Sequence, residues 1–378
     1  MKKALQVASV ASMIDQFTTN NINILEEKGY HVDIAANFTF GSTCTQERVE
    51  KCRQDLNERG ISVYNLLFDR KIINKSNIIV YKQLKKIIDE NNYDIIHCQS
   101  PIGGVITRLA ARKARKKGTK VIYTAHGFHF FNGAPLLNWL IYFPVEWICS
   151  FFTDVLITIN QEDYNFAQKV MKANQIAYVP GIGLDVEKFK NIQIDKNVKR
   201  KTIGVPEDVI LLLSVGELNK NKNHEIIIKA LGDLNNPNIH YCIAGQGKLE
   251  QELRQKAKDL NIEKQVHFLG FRTDIHELYH IADIFCFPSY REGLSVSLME
   301  AMSTGLACIC SAIRGNTDLI QVNRGGYLFS PNDDKRVSEF INLLCDDEKL
   351  RVEMGAYNQQ VIRNFDKEII NKRMKQIY

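Results

Sequence analysis

Apolar and polar positions along this chain follow two alternating periods. Short apolar runs at 4–10, 31–36, 62–67, 94–98, 120–124 and 154–159 read as buried strands. Between them lie stretches of helical spacing. One carries Ile22, Ile24 and Leu25 and ends at Gly29; another, over 78–89, places Ile79, Leu84, Ile87 and Ile88 on one face. Residues 11–18 read as a loop. The second half repeats the grammar, with strands at 209–215, 240–244, 266–269, 282–287 and 306–313. A helix over 225–231 is capped by Asn223 and His224. Strands alternating with helices predict an α/β chain with parallel sheets. At 178–185 one Pro and two Gly interrupt the periodicity, and a charged stretch follows to 200. A chain of 378 residues is long enough for two cores. The expected domains are 1–180 and 207–355, with 181–206 as linker.

Residues 135–152 are the most aromatic stretch. Pro144 is expected to divide them into two short apolar helices. They pack in the core or rest on a membrane surface, with Trp139, Tyr142 and Trp147 at the headgroup level.

The chemistry concentrates in 288–315. An apolar strand leads into a polar turn, then a short helix carrying Leu298, Ala301 and Met302 that stops at Gly305, then a second strand. Glu292 lies in the turn and Glu300 inside the helix, with seven residues between them. Ligands of open α/β sheets sit outside the carboxyl ends of the strands. The amides of Leu294, Ser295 and Val296 open the helix and suit a phosphate. Two acids flanking a phosphate cradle suit a nucleotide-sugar, hydroxylated at both ends with a diphosphate between. Ser297 and Glu300 equally form a capping-box pattern, and Glu292 equally reads as a solvated loop acid. His126 stands at a strand end before Gly127, a position that favours function over structure; His129 is a weaker candidate. Met13 and Asp15 are either cleft-lining or structural.

The segment EGLSVSLMEAM resembles the E-x7-E signature of retaining GT-B-fold glycosyltransferases of family 4, often written EGFPxxxxEAMAxG. Glu292, Gly293, Glu300, Ala301, Met302 and Gly305 match, and Ser295 stands where Pro is common. GELNKNKNH resembles the family's GRLxxxKG: Lys222 matches the Lys, while Glu217 occupies the Arg position. Because a Glu cannot neutralise phosphate, Lys222 must carry more of that load, with Lys220, Arg291 or Arg314 as helpers. Gly245 begins a turn similar to the family's AGxG. Phe271 and Arg272 fall in the loop that holds the base in the family. Gly181 replaces the Asn of the inter-domain PNGVD segment.

The resemblance implies a GT-B fold of two Rossmann-like domains facing a central cleft. The first would bind the acceptor, the second the nucleotide-sugar, and a C-terminal helix at about 356–378 would cross back. It implies a UDP-sugar donor, of the N-acetylhexosamine kind, and no metal or other cofactor. The acceptor would be an undecaprenyl-diphosphate-linked saccharide in capsular or exopolysaccharide assembly. Glu292 would hold sugar hydroxyls, Glu300 the ribose, Lys222 and the amides after Gly293 the diphosphate, and His126 the donor sugar. A UDP-sugar 2-epimerase of the same fold, or a non-catalytic assembly partner, are the alternatives, the latter kept open by Glu217.

Composition adds a setting. Apolar content of 45% and charge of 24% suit a soluble globular protein. Nine cysteines without a C-x-x-C pair suggest reduced thiols in the cytosol, with Cys308 and Cys310 filling core space. Asp15 interrupts what would otherwise resemble a signal peptide. No apolar run reaches spanning length. The net charge is +6, and 108–120 hold Arg108, Arg112, Lys113, Arg115, Lys116, Lys117 and Lys120 with no acid. That cluster is either a solvated helix face or a contact for anionic lipid or a diphosphate-linked acceptor. With no interleaved aromatics or binding motif, nucleic acid is not expected. The expected location is the cytoplasm, with peripheral contact at the inner face of the membrane.

Overall fold

A computed structural model describes residues 1–39, 44–69, 74–190 and 192–378. The chain divides into two compact units, Met1–Ile182 with Glu368–Tyr378, and Gly183–Lys367. The first unit holds seven strands: β1 Lys2–Val7, β2 Tyr30–Ala36, β3 Ser62–Asn65, β4 Ile95–Gln99, β5 Lys120–Ala125, β6 Val155–Thr158 and β7 Gln175–Tyr178. They form one sheet in the order β3-β2-β1-β4-β5-β6-β7, every pair parallel. The second unit holds β8 Ile210–Val215, β9 Ile239–Ala244, β10 Val266–Gly270, β11 Ile284–Phe287, β12 Ala307–Ser311 and β13 Gly326–Phe329. Their order is β10-β9-β8-β11-β12-β13, again all parallel.

Parallel strands need covered faces, so their side chains are apolar in both directions. Neighbouring residues show it: Ala4 packs in one cluster and Leu5 in another, as do Ile95 and Ile96. The second unit's core gathers Leu212, Ile243, Ile284 and Ile309 with helical Ile227 and Leu231.

Several expectations need correction. Residues 11–18 are not a loop: Ala11–Phe17 is a helix that buries Ala11 and Ile14 and runs through Thr18 into the helix Thr19–Glu27. The helix Lys75–Asn91 buries Asn77, Val80, Leu84 and Ile88, and turns Ile78 and Ile79 to solvent. Pro144 does not break its segment; Leu136–Ser150 is one helix. The backbone bond that Pro144 lacks would have gone to Leu140. Both residues are exposed, so water can take that carbonyl. Asn223 precedes its helix at a positive φ of 52° without a side-chain cap, and donates instead to the Pro331 carbonyl at 2.9 Å.

Nor is 181–206 a free linker. Residues from Gly183 belong to the second unit, where Val186–Lys190 and Lys196–Thr202 are helical; position 191 lies outside the described residues. Arg200 is buried there, donating to the Ile281, Glu207 and Val209 carbonyls and pairing with Asp283 at 2.8 Å. At the other end, the Glu348–Val361 helix stays with the second unit, and the chain rejoins the first at Glu368 rather than about 356. The outgoing and returning segments are tied together, Leu184 N–H to the Phe365 carbonyl and Lys367 N–H to the Leu184 carbonyl.

The basic run is also smaller than it reads. Arg108 is buried, and Arg115 pairs with Asp154 at 2.9 Å. Lys120 donates to the Ile377 carbonyl. Among the described residues no helix is long and apolar enough to cross a membrane.

Candidate active site

In the second unit the strand order reverses between β8 and β11. Crossovers on either side of such a point lead away from each other, and a crevice opens at the strands' carboxyl ends. The loop after β8 carries Lys222; the loop after β11 carries Glu292. They are stitched together, since Tyr290 N–H donates to the Asn221 carbonyl at 2.8 Å and Asn221 Nδ2 to the Arg291 carbonyl at 3.0 Å. Lys222 Nζ lies 2.8 Å from Glu292 Oε1 and 4.8 Å above the Phe287 ring. The two side chains are 20% and 16% exposed. Two residues assigned by sequence to different parts of a donor thus form one ion pair. Lys220 is exposed on the same loop, as is Glu217.

Three further segments converge here. Arg314, after β12, is 6% exposed and donates from Nε to the Glu292 carbonyl at 3.0 Å. Its neighbour Gly315 has φ of 80° and lies so close that a Cβ would overlap the Gly293 carbonyl oxygen. After β9, a Cβ on Gly245 would overlap the Gly216 carbonyl oxygen. Gly245 therefore serves the packing of one loop on another. Leu294 and Ser295 lead into the helix Val296–Ser303. Ser295 is its N-cap, its Oγ accepting from Leu298 N–H at 3.4 Å, so the capping residue is not Ser297. The first-turn amides at Val296 and Ser297 lack intrahelical acceptors by position.

Glu300, half-buried on that helix, accepts from the Tyr279 hydroxyl at 2.9 Å. Burial raises its carboxyl above the ordinary value; the Tyr279 hydrogen bond and Lys188 act against that rise. Tyr279 was not legible as a site residue, being one apolar-looking position on the helix Ile275–Ile281. Arg272 points its guanidinium at Asp274, 2.8 Å from Nε to Oδ1, and that hydrogen bond holds the Asp274 carboxyl well below its usual range. Phe271 beside it is 74% exposed.

His126 belongs to the first unit, after β5. Its Nε2 lies 2.6 Å from Gln99 Oε1, at the end of β4. Gln99 Nε2 donates to Thr18 Oγ1, which donates to the Met13 carbonyl. That chain has one consistent direction: the His126 proton sits on Nε2 and leaves Nδ1 as an acceptor. Burial lowers the imidazole to about 4, so it is neutral near pH 7. Two residues before Gln99, buried His97 is lowered to about 3, by burial and then by His126. His97 bridges the Tyr378 hydroxyl at 2.6 Å and Thr124 Oγ1 at 2.8 Å. Gln99 could have been found from sequence, because it shares the strand-end position that pointed to His126. His129 stacks on Tyr142 with ring centres 4.5 Å apart. Asp15 pairs with Arg48 at 2.6 Å. Among the described residues, no three or more His, Cys, Asp or Glu are grouped to hold a metal ion.

Two parallel α/β units of this kind define the GT-B fold. HepE of Anabaena, solved in complex with UDP, superposes with a TM-score of 0.79 at 20% identity, over 100% of this chain and 99% of that one. WaaG, a glycosyltransferase involved in lipopolysaccharide biosynthesis, gives 0.72 at 17% identity over 99% of each chain. Residues 195–361 match the model for glycosyl transferases group 1, and 6–160 the model for glycosyl transferase 4-like proteins. The putative glycosyltransferase EpsD of Bacillus subtilis is 35% identical over 100% of this chain and 96% of its own. The UDP-Gal:α-D-GlcNAc-diphosphoundecaprenol α-1,3-galactosyltransferase of Escherichia coli is 32% identical over 80% of this chain and 78% of its own. The chain belongs to the group 1 glycosyltransferases and is an enzyme of that class.

Proposed function

We propose that this enzyme transfers a sugar, an N-acetylhexosamine, from a UDP-sugar to a saccharide on undecaprenyl diphosphate, with retention of configuration, in exopolysaccharide or capsule assembly. The observation that carries the reading is the Lys222–Glu292 ion pair at the reversal point of the second sheet. It is a cation held by a carboxylate on the loop that leads into the helix Val296–Ser303, a partner that a ligand can replace. A donor diphosphate would take Lys222 and the first-turn amides. Glu292, released, would accept from the sugar hydroxyls, and Glu300 from the ribose. Arg314 would add positive charge where Glu217 supplies none.

In the transfer, the bond from the sugar's anomeric carbon to the β-phosphate oxygen breaks and a bond to the acceptor oxygen forms on the same face. The acceptor's proton passes to the departing phosphate, so no separate base is required. Negative charge grows on the leaving phosphate, which Lys222 and the amides would stabilise. Removing one such contact typically costs about 10²–10³ in turnover. This charge stabilisation would work without a divalent cation. Neutral His126, with its Nδ1 free of the Gln99 contact, would accept a hydrogen bond from the donor sugar.

The acceptor reading has its own support. The helix Leu136–Ser150 exposes Leu136, Leu137, Leu140, Ile141, Trp147 and Ile148 along its length. Arg112, Lys113, Lys116 and Lys117 lie on the basic segment retained after Arg108 and Arg115 are removed. Near an anionic surface each such charge adds about 1 kcal/mol. That favours peripheral contact with the cytoplasmic face of the membrane. The relatives from E. coli and Campylobacter jejuni carry names that specify undecaprenyl-diphosphate-linked acceptors.

The test is UDP release by purified enzyme across a panel of UDP-sugars, with and without a bacterial lipid-linked saccharide extract. Release with one donor, dependent on lipid and lost in Glu292→Ala, is expected. Isomerised UDP-sugar without lipid would establish an epimerase instead. No turnover and no UDP binding by calorimetry would leave an assembly partner.

A further inference from the structure

Two residues beyond Lys222, the second unit buries a histidine whose hydrogen bonds run in one direction. His224 is 3% exposed and opens the helix His224–Leu234. Its Nδ1 lies 3.1 Å from the Tyr241 hydroxyl on β9, and that hydroxyl lies 2.8 Å from Ser214 Oγ on β8. Ser214 Oγ in turn lies 2.6 Å from the Cys286 carbonyl on β11. The direction follows from the far end. A carbonyl only accepts, so Ser214 donates to it. Ser214 then accepts from Tyr241, and Tyr241, its proton used, accepts from His224. The imidazole therefore carries its proton on Nδ1. Burial, and after it Lys222, lower the group to about 4, while the Glu217 and Gly216 carbonyls act the other way, so it is neutral near pH 7. Nε2 is left as a buried lone pair with no hydrogen-bond partner among the described residues.

A buried polar atom without a partner costs about 1–3 kcal/mol. An apolar ring would fill the same space without that cost, so packing alone does not call for an imidazole here. What an apolar ring lacks is the Nδ1–H. That donor ties the start of the helix to three neighbouring strands, β9, β8 and β11.

The helix start in turn fixes Lys222. Its N–H donates to Asn219 Oδ1 at 3.0 Å, and its stem lies over Gly216, where a Cβ would come within 3.1 Å of Lys222 Cε. Between Lys222 and His224 stands Asn223 at a φ of 52°. This left-handed conformation is strained outside glycine and persists only where the surroundings hold it. The Pro331 carbonyl holds its side chain, and the anchored His224 holds the backbone that follows. We propose that His224 is a positioning residue for Lys222: through its Nδ1–H and the Tyr241–Ser214 chain it fixes the turn from which Lys222 reaches the donor diphosphate. This rests on the donor reading above.

Nitrogen NMR of the full-length enzyme with labelled histidine reads the tautomer, the His224 signals being assigned by their absence from His224→Asn. The Nδ1–H form is expected, and the Nε2–H form would overturn the chain. The functional arm compares two amides. His224→Asn keeps an N–H as many bonds from Cβ as Nδ1 is; His224→Gln moves it one bond further, to the place of Nε2. By calorimetry, UDP should bind His224→Asn within about threefold of the unaltered enzyme, and His224→Gln and Tyr241→Phe about tenfold more weakly, the scale of one contact to a charged group. The KM for the UDP-sugar should rise in step. In a Lys222→Met background His224→Gln should weaken UDP no further, because the residue it acts through is gone. Tyr241→Phe carries the comparison if the amides do not fold. Asn and Gln behaving alike, with or without a loss, would overturn the assignment. So would an equal loss from His224→Gln with and without Lys222, which would make His224 part of the scaffold alone. An unaltered enzyme that binds no UDP would overturn the donor reading, and this assignment with it.

Discussion

Replacing Glu292 by Gln and Lys222 by Met should move UDP affinity in opposite directions while lowering turnover in both. The reasoning starts from the 2.8 Å contact between Lys222 Nζ and Glu292 Oε1. At that distance the Coulomb attraction is about 6 kcal/mol with an effective dielectric near 20. Most of it is offset by desolvation and side-chain ordering, and partly exposed pairs retain about 0–1 kcal/mol. UDP must displace that remainder to reach Lys222. Glu292→Gln removes the competitor and keeps the shape, so UDP should bind up to about fivefold more tightly, which is about 1 kcal/mol. Lys222→Met removes the cation and should weaken UDP by about tenfold or more, since a hydrogen bond to a charged group contributes about 1.5–3 kcal/mol. Turnover falls about 10²–10³ in each, because each loses a contact to the reacting donor. Calorimetry with UDP and steady-state kinetics with the UDP-sugar read the two effects separately. If Glu292→Gln weakens UDP as much as Lys222→Met does, the carboxylate is not a competitor for the diphosphate and the exchange does not occur.

Other expectations follow from the first unit. His126 and His97 are lowered to about 4 and about 3 from the ordinary 6.5. The unfolded chain therefore binds more protons below pH 6.5, and stability present above that pH is lost as pH falls towards 4, by up to about 1.4 kcal/mol per unit for each histidine. Urea midpoints across pH 4–7 check this, and His97→Gln should flatten the slope. Gln99→Glu puts a carboxylate against His126 Nε2 and should raise the imidazole's titration, read by NMR of labelled histidine; an unmoved titration would remove Gln99 as its partner. Tyr378→Phe leaves His97 Nδ1 without its hydroxyl and should cost about 1–3 kcal/mol in denaturant unfolding. Ile141→Glu on the exposed helix face should reduce co-sedimentation with anionic vesicles without changing UDP affinity.

The sheets were readable because parallel strands are apolar on both faces, and runs such as those around Ile96 and Ile284 stand out whatever their partners. Helices covering only one side were less clear. Ala11–Phe17 escaped because its short, mixed run carries two buried apolar residues, Ala11 and Ile14, beside polar Asp15 and Gln16. Pro144 misled because the cost of a helical proline depends on whether the carbonyl it orphans reaches water, which spacing does not reveal. Arg108 misled for a related reason. Its neighbours in sequence are surface cations, while its partner Glu146 is 38 positions away on another helix. Motif spacing located Glu292, Lys222 and Arg314 on loops that do converge. It did not reveal that Lys222 and Glu292 face each other, because side-chain pairing across two loops is set by the strand order, β8 beside β11.

The strand order also bears on the departure at Glu217, because it brings the loop after β12 to the loop that carries Glu292. A cation there would stand on the same loop as Lys222. In this chain Glu217 is exposed, and the positive charge proposed to take that part is Arg314, after β12, two strands away from β8. Arg314 is nearly buried, and its Nε contact with the Glu292 carbonyl fixes its position. A guanidinium held in this way loses little further side-chain entropy when a ligand arrives, whereas an exposed side chain loses up to about 2 kcal/mol. The same contact joins the cation to the backbone of the residue whose carboxylate holds Lys222. Arg314→Met should thus do more than remove a charge: it should also loosen Glu292. Its loss in turnover should then be smaller in a Glu292→Gln background than in the natural sequence, whereas equal losses in both would mean that Arg314 and Glu292 act independently.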